Sequence, residues 1–173
     1  MYSVINSQSD LSTLVSLAEA KRQCRIDPSF TIDDEELQSL ITASAELAQN
    51  YTRKLLTPGE VTVELDEYVS EVLLPFGNAT AVTEVLLDNE ATTDFTFSPI
   101  TQKLKLTSTI GFSNLKVTYN CGYSTLPDRA KQGILVMINT MYNHREDVAT
   151  GTTVESLPMA SIRLLNSIKN YRV

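Results

Sequence analysis

The chain has 173 residues, of which 42% are hydrophobic and 20% charged, with a net charge of −7 at pH 7. That is the size of one domain, or of a domain with an excursion, and the composition is globular. It shows no apolar run long enough for a membrane span and no basic, apolar leader in Met1 to Asp10. Its acidity opposes a phosphate-binding surface, so membrane insertion, a signal peptide and sequence-specific nucleic-acid binding are not expected.

In chain order, Ser16 and Glu19 have the spacing of a capping box, in which hydroxyl and carboxylate satisfy N–H groups at one helix end. The box predicts a short helix from about Leu17 to Cys24, stopped by Asp27-Pro28 because the residue before proline avoids helical angles. A second helix is expected from Asp33, with Asp33, Asp34, Glu35 and Glu36 at the positive end of its dipole. Leu37, Leu40, Ile41, Ala45, Ala48, Tyr51 and Leu55 give it one apolar face. Arg53-Lys54 suit its last carbonyls, and Thr57-Pro58-Gly59 is expected to end it.

From there the period changes to two. Val61, Val63 and Leu65, then Leu104 and Leu106, then Leu115, Val117, Tyr119 and Cys121 alternate with polar residues, as half-buried strands do. Val72 to Leu74, Val85 to Leu87 and Phe95 to Phe97 are shorter strand candidates between turn residues. These predict a small antiparallel sheet inserted between helical segments. Between Lys54 and Lys103 there is no lysine or arginine, while nine acids lie there.

After the sheet, Leu126-Pro127 and Leu157-Pro158 mark two helix starts, since proline's missing N–H had no intrahelical partner in a first turn. Ala130, Ile134, Met137, Ile138 and Met141 recur at helical spacing in the first of them. Gly133, inside that helix, costs roughly 1 kcal/mol relative to alanine and so signals a close contact, with another helix of the chain or with a neighbouring subunit. The polar stretch Thr150 to Ser156 detaches the second helix, expected over Pro158 to Val173. The stripe Met159, Ile162, Leu165 and Ile168, flanked by Leu164 and Tyr171, is too broad to leave in water. Beyond Glu155 the only charges are Arg163, Lys169 and Arg172, which suits an acidic partner.

The order of these motifs resembles the head–tail connector (adaptor) proteins of tailed bacteriophages. The resemblance rests on Leu126-Pro127, Tyr142-Asn143-His144-Arg145, Leu157-Pro158, Leu164-Leu165 and Tyr171-Arg172 at the C-terminal end. At the N-terminal end it rests on Ser16 to Lys21, Arg25-Ile26-Asp27, Asp33 to Leu37 and Tyr51-Thr52-Arg53. The middle, about Thr57 to Gly122, resembles the β-rich insertion of longer members. The fold class expected is α+β: a small helical bundle, 1–56 completed by 123–148, an inserted β module, 57–122, and a loop with a docking helix, 149–173.

The resemblance implies a homo-oligomeric ring, dodecameric, at the virion neck beneath the portal protein. Such a ring extends the DNA channel and docks downstream neck or tail-completion proteins. It implies synthesis in a host cytoplasm, DNA passing without specific binding, and no membrane. The bundle helices would supply the subunit contacts. Met159, Ile162, Arg163, Leu165, Ile168, Lys169, Tyr171 and Arg172 are the expected contacts to portal or neighbour, with Tyr171 and Arg172 as anchors because aromatic and arginine side chains dominate hot spots.

No catalytic residue, cofactor or metal site is expected. His144 is the single histidine and reads as a helix-end residue rather than a ligand. Asp33 to Glu36 point in different directions around one turn, and Asp66-Glu67 and Asp88-Asn89-Glu90 lack the spacing of a calcium loop. Gly111 and Gly122 belong to no phosphate loop. Cys24 and Cys121 are expected as two reduced thiols. Two other readings stay open at this point: a small helical DNA-binding regulator built on Ser16 to Lys54, and a hydrolase or carbohydrate-binding module using acids such as Asp66 and Glu84.

Overall fold

The computed structural model describes residues 2–107, 111–144 and 159–171. It has four helices and two antiparallel sheets, and is α+β as the sequence predicts. The chain forms two compact units, one from 1–9, 53–124 and 170–173 and the other from 10–52 and 125–169.

The helical unit holds α1 (Leu17–Cys24), α2 (Asp34–Thr52), α3 (Asp128–Asn143) and α4 (Met159–Asn166), preceded by a single 3₁₀ turn at Leu11–Leu14. The capping box is formed: the Glu19 N–H donates to Ser16 Oγ at 3.3 Å, and the Ser16 N–H donates to Glu19 Oε2 at 2.9 Å. Helix α1 ends sooner than Asp27-Pro28 would require. Arg25 turns left-handed at φ 57°, and the Ile26 N–H donates to the Lys21 carbonyl, which satisfies the last turn before proline acts. Asp27 instead accepts from the Ser29 N–H and hydroxyl in a local turn.

Helix α2 likewise stops at Thr52, with Arg53 left-handed at φ 53°, five residues ahead of Thr57-Pro58-Gly59. Leu37, Ile41, Ala45 and Ala48 are buried as expected, while Leu40 and Tyr51 are half-buried. The face also buries Ser44 and Thr52. Thr52 is satisfied by donating to the Ala48 carbonyl at 2.8 Å, as buried hydroxyls must be. Pro127 lies one position ahead of α3, at the N-cap with φ −58°. Leu157-Pro158 lies outside the described residues.

The β unit holds β1 (Tyr2–Gln8), β2 (Gly59–Leu65), β3 (Glu71–Leu73), β4 (Ala81–Leu87), β5 (Glu90–Ala91), β6 (Phe95–Ser98), β7 (Lys103–Leu106) and β8 (Leu115–Cys121). All six expected strands form. With β1 and β5 added, the eight strands divide into a five-stranded sheet, order β1-β2-β8-β4-β5, and a three-stranded one, order β3-β7-β6, rather than one sheet. Strand β1 lies outside the segment where strands were expected.

Period-two alternation sets the register. Val61, Val63 and Leu65 sit opposite Tyr119, Val117 and Leu115, so one row of apolar side chains enters the core shared by both sheets. Each such side chain contributes roughly 1.5–3 kcal/mol by burial. The Tyr119 hydroxyl, carried into that core, donates to the Pro75 carbonyl at 2.6 Å. Beside it Gly122 has φ 103°, and a Cβ there would stand 2.1 Å from the Thr57 carbonyl oxygen. Only glycine fits both demands.

Candidate assembly surfaces

Helix α4 is shorter than expected and is not detached from the bundle. It ends at Asn166, where the Ile168 N–H donates back to the Leu165 carbonyl and Ser167 Oγ to the Leu164 carbonyl at 2.7 Å. These bonds close the last turn and leave Ile168 to Tyr171 outside the helix. Leu165 is buried against α3, and the close contact signalled by Gly133 is with this helix of the same chain. Asn166 accepts from the Tyr51 hydroxyl at 2.7 Å, and Lys169 Nζ stands 3.9 Å from the centre of the Tyr51 ring, a cation–π contact.

The expected docking residues therefore divide. Met159 and Tyr171 are 53% and 70% exposed, and Arg163 is exposed too. Ile162, Ile168 and Lys169 are half-buried. Leu165, at 1% exposure, packs within its own unit and offers a partner nothing. Arg172 and Arg145 lie outside the described residues.

The acids at the start of α2 have structural partners. Asp34 pairs with Lys21 Nζ at 2.5 Å, and Asp33 Oδ2 accepts from the Tyr142 hydroxyl at 2.5 Å. Lys21 is a buried cation that the sequence reading missed, since a lysine beside Arg22 reads as part of a solvated face. Its ammonium also donates to the Phe30 carbonyl at 2.7 Å and the Pro28 carbonyl at 3.4 Å, so two backbone carbonyls and one carboxylate surround the buried charge. This network fixes the loop 25–33. That loop is also longer than the turn of about three or four residues that joins the helices of a helix-turn-helix.

On the outer face of the larger sheet a polar row runs across the strands. Asn6 Nδ2 donates to Thr62 Oγ1 at 2.8 Å, and the Thr62 and Thr118 hydroxyls meet at 3.1 Å. Glu60, Glu64 and Glu84 line the same shallow concavity with Lys116, which pairs with Glu64 at 3.3 Å.

Of the carboxylates weighed for chemistry, Asp66 accepts from Asn114 Nδ2 at 2.9 Å, and Asp88 from the Ser113 and Asn114 backbone N–H groups. Among the described residues no group of three or more metal-ligating side chains converges, and no helix is long and apolar enough to cross a membrane. The His144 side chain is exposed, while its N–H donates to the Thr140 carbonyl at 2.9 Å. Both cysteines are free thiols. Burial raises the pKa of Cys24 and pushes that of Cys121 up to about 12.

Residues 14–94 match the family model of phage gp6-like head–tail connector proteins. No curated protein matches in sequence. Among solved structures, the chain is similar to a protein in the neck of an empty gene transfer agent particle computed with sixfold symmetry. The two are 17% identical with a TM-score of 0.76, covering 100% of this chain and 97% of that one. A chain in the virion of the native gene transfer agent is 16% identical with a TM-score of 0.76, and one in the native neck computed with twelvefold symmetry is 16% identical with a TM-score of 0.74. Both comparisons again cover 100% of this chain and 97% of the other. The resemblance read from the sequence is thereby shown for residues 14–94, which are similar to the phage gp6-like head–tail connector family, while the fold of the whole chain is similar to that of proteins in the neck and virion of a gene transfer agent particle.

Proposed function

We propose that this protein is a structural connector of the virion neck, assembled as a twelvefold ring beneath the portal. The ring extends the DNA channel and offers a docking face to the next neck or tail protein. One observation carries the reading: a chain whose segment 14–94 matches the connector family also shares its fold, from end to end, with proteins of a particle neck.

Met159, Ile162, Arg163, Ile168, Lys169, Tyr171 and Arg172 form the proposed contact to portal or neighbouring subunit, with Leu165 holding α4 in place rather than touching a partner. DNA passes without being bound. An acidic wall suits that passage, because a surface carrying Glu60, Glu64 and Glu84 against one ion-paired lysine repels phosphate and keeps the duplex mobile.

The test is assembly of the particle without the protein. Heads that carry a portal but no tail, restored to tailed particles by supplying the gene in trans, are expected. Normal tailed particles formed in its absence would overturn the reading.

A further inference from the structure

The helical unit carries an apolar groove of about 570 Å³ lined by Leu17, Ala18, Ile26 and Pro28, with the exposed guanidinium groups of Arg22 and Arg25 beside them. The Lys21 stem also lines it, but that ammonium is committed to Asp34, Pro28 and Phe30. The groove therefore presents apolar area with two arginine charges. Its backbone is held by the left-handed Arg25, the Asp27 turn and the Lys21 network, so little ordering entropy remains to be lost on binding. A ligand suited to it has an apolar or aromatic body flanked by carboxylates.

The β unit carries a feature of that chemistry. The turn between β2 and β3 displays Asp66, Glu67 and Tyr68 in succession, all exposed. Tyr68 is 54% exposed although its ring lies 5.0 Å from that of Phe112. This contact supports the ring from one side and leaves the rest of it in water. An exposed tyrosine held by a second aromatic ring, next to two carboxylates, has the character of an interface anchor, as do arginines at the edge of an apolar recess.

Resting on the ring reading above, we propose that the Asp66–Glu67–Tyr68 turn of one copy docks in the α1 groove of the next. Tyr68 covers Leu17, Ile26 and Pro28, while the two carboxylates face Arg22 and Arg25. Every copy carries both halves, so the contact is head-to-tail, the kind from which a cyclic assembly is built. The occupant is a second copy because the complement in charge and shape is present in the same chain. The helices thus supply one half of the subunit contact and the β module the other.

Charge exchange tests this on the full-length protein. R22E/R25E and D66K/E67K are changes on exposed residues, and each variant is first checked for an unchanged thermal transition. Ring formation is then read by mass, alone and on purified portal. Each variant by itself should lose the ring, and an equimolar mixture of the two should recover it. In an alternating ring every reversed groove meets a reversed turn, and every native groove a native turn.

Rings formed normally by either variant alone would overturn the contact while leaving the ring reading intact. Variants that fail alone and also fail as a mixture would likewise overturn the pairing. A native protein that forms no ring, alone or on the portal, would overturn the ring reading and this contact with it.

Discussion

Gly133 of α3 and Leu165 of α4 meet so closely that a Cβ on the glycine would stand 3.2 Å from the leucine Cγ and 3.3 Å from its Cδ2. The helical cost of the glycine is thus offset by the approach of a fully buried leucine. Replacing Gly133 with valine should overpack the contact and destabilise the protein by about 1–3 kcal/mol. Leu165→Ala should cost about 2–5 kcal/mol by opening a cavity. Chemical denaturation checks both, and a Leu165→Ala midpoint equal to that of the native protein would show that α4 is not part of the folded bundle.

The start of α1 links stability to acid. Glu19 caps Ser16 and pairs with Lys131 Nζ at 2.7 Å, and these partners, Lys131 first, hold its carboxyl at about 2, below its ordinary 4.5. A carboxylate whose pKa is depressed on folding contributes stability that is fully present above the unfolded pKa and is lost as the pH falls through the folded one. Glu19→Gln should therefore lower stability at pH 7, and its deficit should shrink as the pH drops from about 4.5 towards about 2. Ser16→Ala, which removes the cap hydroxyl, should cost about 0.5–2 kcal/mol. Denaturant midpoints across that pH range decide the matter, and a Glu19→Gln deficit unchanged at low pH would contradict the assignment.

Tyr142 ties the C-terminal end of α3 to the start of α2 through Asp33. Tyr142→Phe keeps the ring and removes the donor to a carboxylate, so a loss of about 1.5–3 kcal/mol is expected. Asp33→Asn should cost less than Asp33→Ala, because the amide oxygen still accepts. Equal losses in the two Asp33 variants would place the importance of that residue elsewhere.

Much of this architecture is legible in the sequence because it depends on local chemistry. The Ser16–Glu19 box fixes the start of α1, and alternating residues such as Val61, Val63 and Leu65 mark a strand wherever one face is buried. Strand β1 was not legible: Tyr2 to Gln8 is exposed along nearly its whole length, so it shows no alternation, and its strand character comes from pairing with β2 far along the chain. The stop of α1 at Cys24 was placed where it lies, but its cause was not legible, since a left-handed arginine at position 25 has no residue-type signal comparable to glycine. Gly133 did signal a close contact, and the structure supplies Leu165 as its partner. The polar loop before α4 suggested a free arm, because loop composition says nothing about where the following helix docks. The Arg22–Arg25 groove and the Tyr68 turn went unread as well, each being assembled from residues of ordinary local pattern.

The two thiols should differ in reactivity. Cys121 is 3% exposed with its pKa pushed up to about 12, whereas Cys24 is half-buried with a pKa raised by burial alone. Because the thiolate is the reacting species, a thiol reagent at pH 8 should modify Cys24 in the native protein and reach Cys121 only on unfolding. Equal native rates for the two would mean that the end of β8 opens far more readily than its packing implies.

The central claim, that this is a ring-forming connector of a particle neck, is tested most directly by imaging the purified protein bound to its portal by electron microscopy. The account predicts twelve copies as one ring coaxial with the portal channel. Portal particles that bind no copies, or bind them without cyclic order, would contradict it.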